Sequence, residues 1–216
     1  MNPRVRAFPR KYFLQAPRGW FLKLTRANDA RMRALIAGKS VAVVGNAQSL
    51  LAGELGDEID ARDIVIRLNK GFPKHLGAQG SRTNMVGLTP ELGEAEMLAG
   101  FAPDTLLMLI PKMRHFNIWR RDSVARTLFY PFRHWLSDQR KIGRRPSSGF
   151  MAISWLMRLD AAQSVMLYGF DFGATATYYN PGGYRTPHDF PKEGEIIQGW
   201  ATEGRLTIVK SDSGAR

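Results

Sequence analysis

Cysteine is absent from this chain of 216 residues. Its absence excludes a disulfide framework and any metal site with thiolate ligands. Long apolar runs are also absent, since no stretch of about 18 apolar residues occurs and no apolar segment follows the basic N-terminal residues as in a secretory signal. We therefore expect a protein of bacterial type that resides in the reducing cytoplasm.

Acidic residues are few, because 19 Asp and Glu stand against 31 Lys and Arg and leave a formal net charge of +12. Residues 1–40 carry ten basic residues against Asp29 alone, and residues 112–145 carry ten against two acids. The same two segments contain aromatic residues that we interpret as exposed: Phe13, Trp20, Phe21, Trp119, Phe129, Tyr130, Phe132 and Trp135. Such interleaving suits an anionic membrane surface, a polyanionic acceptor or a nucleic acid, and it suits ordinary solvated helix faces equally well.

Short apolar runs alternate with helix patterns, and an apolar fraction of 44% is enough to bury the core of one domain. The runs that predict strands are Val41 to Val44, Asp63 to Asn69, Thr83 to Val86, Leu106 to Ile110 (a central strand) and Ser164 to Tyr168. Helices are predicted from Asp29 to Ala37 and from Pro146 to about Leu159, and residues 112–145 predict helices with a flexible connection. The alternation indicates a doubly wound α/β domain over residues 39–216, preceded by a basic arm and helix over residues 1–38.

Two of the predicted strands end in polar residues. Gly45 and Asn46 follow the first strand, and Asn69 closes the second. Because ligands of open α/β sheets bind at the carboxyl ends of the strands, we expect Asn46 and Asn69 to lie at one edge of the sheet. Taken alone, Asn46 also suits a simple turn.

The sequence Pro146-Ser147-Ser148-Gly149 precedes an apolar run, which is the pattern of a capped helix N-terminus. The N–H groups and hydroxyls at such a terminus can bind a phosphate or a carboxylate. A lone Ser-Ser-Gly is more often only a cap, so its value lies in its combination with the turns at Asn46 and Gly169.

His188 is the candidate general base. It stands before a predicted helix that has Asp189 as its N-cap and Pro191 in its first turn. An imidazole with an ordinary pKa of about 6.5 can accept a proton from a sugar hydroxyl near neutral pH. By residue type alone, a structural histidine is the alternative. The histidines and acidic residues show no spacing that indicates a bound metal.

Taken together, these motifs resemble the sialyltransferases of glycosyltransferase family 29. The segment from Val41 to Asn69 is similar to their large sialylmotif, and the segment from Pro146 to Phe170 is similar to the small sialylmotif. Residues 80–83 and 89–91 resemble the stretch that follows the large motif, and His188 and Glu193, separated by four residues, resemble the very small motif. Four signatures in this order over about 150 residues are far more specific than any one of them.

The resemblance implies a single Rossmann-like doubly wound sheet of the metal-independent sialyltransferase type, a GT-A variant. It implies an inverting transfer of a sugar acid, sialic acid or a Kdo-like acid, from a CMP-activated donor to a glycan or glycolipid acceptor, with no metal and no other cofactor. By position, it assigns the nucleotide and sugar-phosphate contacts to Asn46, Asn69, Ser147, Ser148, Gly149 and Gly169. His188 becomes the general base, and Glu193 supports the start of the helix that follows it.

The chain departs from the family pattern at two places. Val41 and Asp160 stand where secretory members carry the cysteines that join the large and small motifs. The third motif is Thr177-Tyr178-Tyr179-Asn180, without the histidine that helps to bind the donor phosphate. Thr177 and Tyr178 are therefore the candidate phosphate contacts there.

Two other functions stay open from the sequence. The altered third motif suits a homologue that binds CMP without transferring sugar, and the net charge suits a nucleic-acid-binding protein, although no recognised binding module is present. For a transferase we expect no specific nucleic acid, and the basic and aromatic segments suggest a location peripheral to the inner membrane.

Overall fold

Seven short apolar strands form one parallel sheet in the computed structural model, which describes residues 27–88, 94–110, 126–182 and 186–211. The strands are β1 Ser40–Val44, β2 Ile64–Leu68, β3 Met85–Leu88, β4 Thr105–Met108, β5 Thr127–Phe129, β6 Ser164–Tyr168 and β7 Thr207–Val209. Their order across the sheet is β5-β4-β3-β2-β1-β6-β7, and each neighbouring pair is parallel.

Helices connect the strands and cover both faces of the sheet. They are α1 Ala27–Ile36, α2 Gly56–Asp60, α3 Leu76–Gln79, α4 Glu94–Phe101, α5 Phe132–Ile142, α6 Ser148–Leu159 and α7 Phe190–Thr202, with a 3-10 helix over Gln48–Ala52. Within the described ranges, none of them is long and apolar enough to cross a membrane.

The strand order reverses at β1, since the chain proceeds outward from β1 to β5 and then returns to the other side of β1 as β6. The pairings Val44 with Arg67 and Val44 with Tyr168 align the carboxyl ends of β1, β2 and β6. Ligands of doubly wound sheets bind at this reversal point, because the loops diverge there and leave a crevice.

Alternate residues of the strands pack into cores on opposite faces of the sheet. On one face, Val41 and Val43 pack with α6 in the largest apolar cluster. On the other face, Ala42 and Val44 pack with residues of the 3-10 helix and α2. Helix α6 is buried almost all round, as expected of an apolar helix laid across the centre of a sheet.

Helix α1 packs into the same core as the sheet. Its Met32 and Ile36 are fully buried in the cluster that includes α6. Asp29 accepts a hydrogen bond from Trp155 Nε1 at 2.8 Å and contacts His134 Nε2 at 3.1 Å. The helix predicted before the sheet is therefore packed directly onto it.

Two predictions about the central part of the chain were wrong, and two strands, β5 and β7, were not predicted. The strand ending in Met108 is the second from the edge of the sheet, because β5, which the sequence did not predict, pairs outside it. Phe129 ends β5 and Tyr130 follows it directly, so both are buried in the cores and are not exposed as predicted. Trp135 is half-buried against the same core. Strand β7 was also not predicted, since three partly exposed residues carry no periodic signal. Of the other aromatics interpreted as exposed, Phe13, Trp20, Phe21 and Trp119 lie outside the described residues.

Candidate active site

The floor of the site is a close contact between the ends of β1 and β6. Gly45 N–H donates to the Tyr168 carbonyl at 2.7 Å, and a Cβ at Gly45 would lie 2.4 Å from the Gly169 carbonyl oxygen. Gly169 itself has φ +67, a conformation that side chains disfavour. Glycine is therefore required at both strand ends for the two loops to approach.

Above this floor lies a cleft of about 550 Å³ at the carboxyl edge of the sheet. Nine of the ten residues proposed from the sequence line it: Asn46, Asn69, Ser147, Ser148, Gly149, Gly169, Thr177, His188 and Glu193. Tyr178 is not among the lining residues. Two of these residues, Asn46 and Glu193, are 147 positions apart in the sequence, and the fold brings them to one cavity.

Asn46 connects three loops around the cleft. Its Nδ2 donates to the carbonyl of Leu68 at 3.0 Å, and its Oδ1 accepts from the hydroxyl of Tyr178 at 3.2 Å. Burial raises the pKa of Tyr178 to about 12, so the phenol is a neutral donor at physiological pH. The hydroxyl of Tyr178 is thus engaged by Asn46, and its direct contact with the donor phosphate stays a prediction.

Three polar atoms of cleft residues lack a protein partner within the described part of the chain. They are Oδ1 of Asn69, on a residue with φ +51, Oγ1 of Thr177 and Nε of Arg145. Buried polar groups are normally hydrogen-bonded, so such atoms beside a cavity are candidates for ligand contacts.

The N-terminus of α6 lines the cleft. Ser147 Oγ caps the helix by accepting from Phe150 N–H at 3.0 Å. The carboxylate of Glu193 accepts from both the N–H and the hydroxyl of Ser147, each at 2.6 Å. Among the described residues, no acceptor is present for the N–H groups of Ser148 and Gly149, the first two of the helix.

Glu193 therefore supports a helix start other than the predicted one. Asp189 caps its own helix, α7, by accepting from Lys192 N–H at 3.1 Å, whereas Glu193 reaches across the cleft wall to α6. Burial raises the pKa of Glu193 to about 7, although both hydrogen bonds from Ser147 favour the charged form.

The ring of His188 is fixed by a backbone carbonyl. Its Nδ1 lies 2.8 Å from the carbonyl oxygen of Arg145, and a carbonyl can only accept, so Nδ1 carries the proton. In the neutral ring Nε2 then holds a lone pair, and no partner for Nε2 is present in the described part of the chain. Burial lowers the pKa of His188 below 6.5, and the charge of Arg145 lowers it further.

Residues 21–130, half of the chain, match the model of glycosyltransferase family 29, the sialyltransferases. The chain belongs to this family.

Family 29 relatives match over different lengths. The human CMP-N-acetylneuraminate-beta-galactosamide-alpha-2,3-sialyltransferase 4 is 41% identical over 69 residues, 32% of this chain and 21% of that protein. The mouse CMP-N-acetylneuraminate-beta-galactosamide-alpha-2,3-sialyltransferase 1 is 26% identical over 210 residues, which are 82% of this chain and 60% of that protein. The chain thus spans less than two thirds of the length of these relatives.

Solved sialyltransferases share the fold. A mammalian sialyltransferase superposes with a TM-score of 0.61 at 19% identity, covering 98% of this chain and 89% of that one. CstII from Campylobacter jejuni, solved with a substrate analogue, cytidine-5'-monophosphate, superposes with a TM-score of 0.57 at 13% identity over 82% of each chain. The predicted sialyltransferase-type sheet is confirmed.

Several cleft residues of this family 29 protein were not identified from the sequence. Arg145 lines the cleft, and its Nε is buried without a partner among the described residues. Lys70, Phe170 and Tyr179 also line it. The signal was present, because each adjoins a motif residue, but only the fold indicates that these side chains face the same cavity.

The predicted absence of a bound metal was based on spacing. In the described ranges, no group of three His, Asp or Glu side chains is arranged to hold a metal ion. Within the cleft, the carboxylate of Glu193 is engaged by Ser147, and that of Asp171 is engaged by Thr175 and Ser49. The cleft is also lined by the cations Lys70 and Arg145 and by the start of α6.

Proposed function

We propose that this protein is an inverting glycosyltransferase that moves a sugar acid, sialic acid or a Kdo-like acid, from a CMP-activated donor to a glycan hydroxyl. The observation that carries the proposal is the contact between His188 Nδ1 and the Arg145 carbonyl, which makes Nε2 the basic nitrogen of the ring. The same cleft contains the open start of α6 and the two asparagines. The candidate base and the candidate anion site thus line one cleft.

The donor site is best explained by a nucleoside monophosphate. The N–H groups of Ser148 and Gly149 and the positive end of the α6 dipole favour an anion with a single phosphate. Asn69 Oδ1 and Thr177 Oγ1 offer further polar contacts. CstII was solved with CMP and, in another structure, with a trisaccharide acceptor and CMP, which supports the same class of ligands here.

In the proposed reaction, the acceptor oxygen attacks the anomeric carbon from the face opposite the phosphate. A C–O bond forms to the acceptor, the C–O bond to the phosphate breaks, and CMP leaves with the electron pair. His188 Nε2 takes the acceptor proton, a step typically worth about 10²–10⁴ in rate. Because the leaving group bears one phosphate, hydrogen bonds and the helix terminus can stabilise its charge, and no metal is part of the proposal.

The test is a transfer assay with CMP-Neu5Ac and CMP-Kdo on wild type and on His188→Ala. We expect transfer to fall by at least about 10²-fold while the dissociation constant for CMP changes little. His75→Ala is the matched control, because His75 is exposed and lies outside the cleft. A His188→Ala variant that keeps full activity would refute the assignment, and activity that disappears with EDTA would refute metal independence.

A CMP-binding homologue without transferase activity is the second candidate, favoured by a third motif with no histidine. Thermal shift with CMP, CMP-Neu5Ac, CMP-Kdo and UDP-sugars in the absence of metal separates binding from catalysis. A ligand at 100 times its dissociation constant stabilises the fold by about 2.7 kcal/mol, which is readily measured. Stabilisation by CMP with neither transfer nor donor hydrolysis would favour this candidate. Steeply salt-dependent binding of DNA or RNA without any response to CMP would instead favour a nucleic-acid-binding protein.

A further inference from the structure

One side of helix α5 carries apolar and basic side chains, of which Phe132, Arg133 and Arg140 are exposed and Leu136 is half-buried. Phe132, Leu136 and Arg140 recur every four residues, and Arg133 lies beside them, so the four side chains share one face. Phe132 is 39% exposed, and its ring stacks on Trp135 with ring centroids 5.8 Å apart and an interplanar angle of 10°. We call these four residues the outer face of α5.

The positive charge around this face is not neutralised locally. The acid of the helix, Asp138, is fully buried and accepts from Ser154 and Arg158 at 3.0 and 2.5 Å. Arg133 pairs with Asp29. In contrast, Arg140, Lys141 and Arg144 are exposed and have no carboxylate partner in the described part of the chain.

We infer that the outer face of α5 docks on the surface of an anionic lipid bilayer. Basic side chains near such a surface are each worth about fivefold in binding, and an exposed aromatic ring beside a leucine inserts at the boundary between headgroups and acyl chains. A nucleic acid would satisfy the same cations through its phosphates, and a single strand could also stack a base on Phe132. It would gain little from the leucine beside that ring, which is why the bilayer is the better fit.

The position of α5 relative to the cleft gives this docking a consequence. The helix ends at Ile142, Gly143 turns the chain with φ +77, and Arg145 already lines the cleft and holds the ring of His188. A bilayer on the outer face would thus lie near the cleft wall that carries Arg145. If the proposed glycosyl transfer is correct, an acceptor sugar attached to a membrane lipid would be held close to the base; the docking itself does not depend on that activity.

The test is co-sedimentation of the full chain with vesicles of phosphatidylcholine alone or mixed with phosphatidylglycerol. We expect sedimentation only with the anionic vesicles. The triple variant Arg140→Ser, Lys141→Ser, Arg144→Ser should bind them at least about tenfold more weakly, and Phe132→Ser should weaken binding severalfold without any change in charge. The charge-matched control is Lys39→Ser, Lys74→Ser, Lys210→Ser, three exposed residues elsewhere, which should bind nearly as wild type.

Three results would overturn the docking proposal: equal losses in the two triple variants, full binding by Phe132→Ser, or competition by soluble glycerol phosphate at millimolar levels. Tight binding of RNA or DNA through the same arginines, with no vesicle binding, would assign the surface to nucleic acid instead. Thermal shift with CMP on each variant keeps the two proposals separate. A wild type that binds vesicles but not CMP would refute the proposed function and leave the docking surface standing.

Discussion

Glu193 and Ser147 form a buried two-point contact, in which the N–H and the hydroxyl of Ser147 each donate to one oxygen of the carboxylate at 2.6 Å. The contact joins α7, which follows His188, to α6, whose start faces the cleft. Because it fixes these two elements relative to one another, it positions the candidate base beside the candidate anion site.

The burial of Glu193 makes stability depend on pH. Its pKa in the fold is about 7, above the ordinary 4.5, so the folded state holds the proton more tightly than the unfolded chain does. The contribution of Glu193 to the free energy of unfolding is therefore complete below pH 4.5, and it is lost as the pH rises to about 7. We expect the free energy of unfolding of wild type, relative to Glu193→Gln, to fall over that window by as much as about 3 kcal/mol.

Denaturant unfolding at a series of pH values measures this difference. Glu195→Gln is the control, because Glu195 lies on the same helix with a side chain that is 66% exposed. Its stability relative to wild type should stay within about 0.5 kcal/mol across the series. A difference between wild type and Glu193→Gln that is constant with pH would contradict the raised pKa of Glu193.

The lowered pKa of His188 predicts the shape of the pH–activity profile. Burial disfavours the imidazolium, so the ring stays neutral and basic down to a pH below 6.5. Above pH 6.5 we expect kcat/KM not to vary through protonation of His188. On the acid side kcat/KM should fall with an apparent pKa below that value. Because Glu193 titrates near 7, the profile should also be recorded in Glu193→Gln. An acid limb centred above 6.5 in that variant would be inconsistent with His188 as the base.

His188 also contributes to stability with the opposite sign to Glu193. Its pKa in the fold lies below the value of about 6.5 in the unfolded chain, so its contribution is complete above pH 6.5 and is lost as the pH falls through the folded pKa. Wild type should therefore lose stability relative to His188→Gln on acidification below 6.5. Denaturant titrations at two pH values test the sign, and a loss on the alkaline side would disprove it.

Gly169→Ala should be more damaging than the same change at Gly204. Both glycines have positive φ, at +67 and +72, so both substitutions carry a backbone cost of about 1–2 kcal/mol. At Gly204 a new Cβ meets no atom within 4 Å, whereas at Gly169 it would lie 3.1 Å from Leu50 Cβ. Thermal unfolding measures the stability of both variants, and the larger loss of stability in Gly169→Ala reports crowding at the floor of the cleft. We expect CMP binding to weaken only in Gly169→Ala, and equal effects in both variants would refute the crowding.

Tyr178→Phe tests whether that hydroxyl acts on the ligand or through Asn46. A hydrogen bond to Asn46 Oδ1 is worth about 0.5–1.5 kcal/mol, so the dissociation constant for CMP should rise roughly two- to tenfold. In the Asn46→Ala background the same change should have almost no further effect, because the partner is gone. Additive losses in this double-mutant cycle, measured by calorimetry, would restore the direct phosphate contact predicted from the sequence.

The sequence predicted the sheet well where strands carry continuous apolar runs with glycine or asparagine at their ends. β1, β2 and β6 were predicted almost to the residue, as were the cap at Ser147 and the helix start at Asp189. These features are local, since they depend on neighbours within a few positions. Strand β5 was missed because its three residues become a strand only by pairing with β4.

What the sequence determined by itself was the strands with continuous apolar runs and the motif residues, and with them the family, because apolar runs, glycine turns and helix caps encode short-range structure. What only the tertiary structure decided was which polar groups meet. In the fold, the hydroxyl of Tyr178 donates to Asn46, and Glu193 accepts from Ser147 on another helix. The carbonyl of Arg145 contacts the ring of His188. The physical reason is that these contacts join residues 43 to 132 positions apart, and such partners are chosen by how the elements pack, which no local pattern contains.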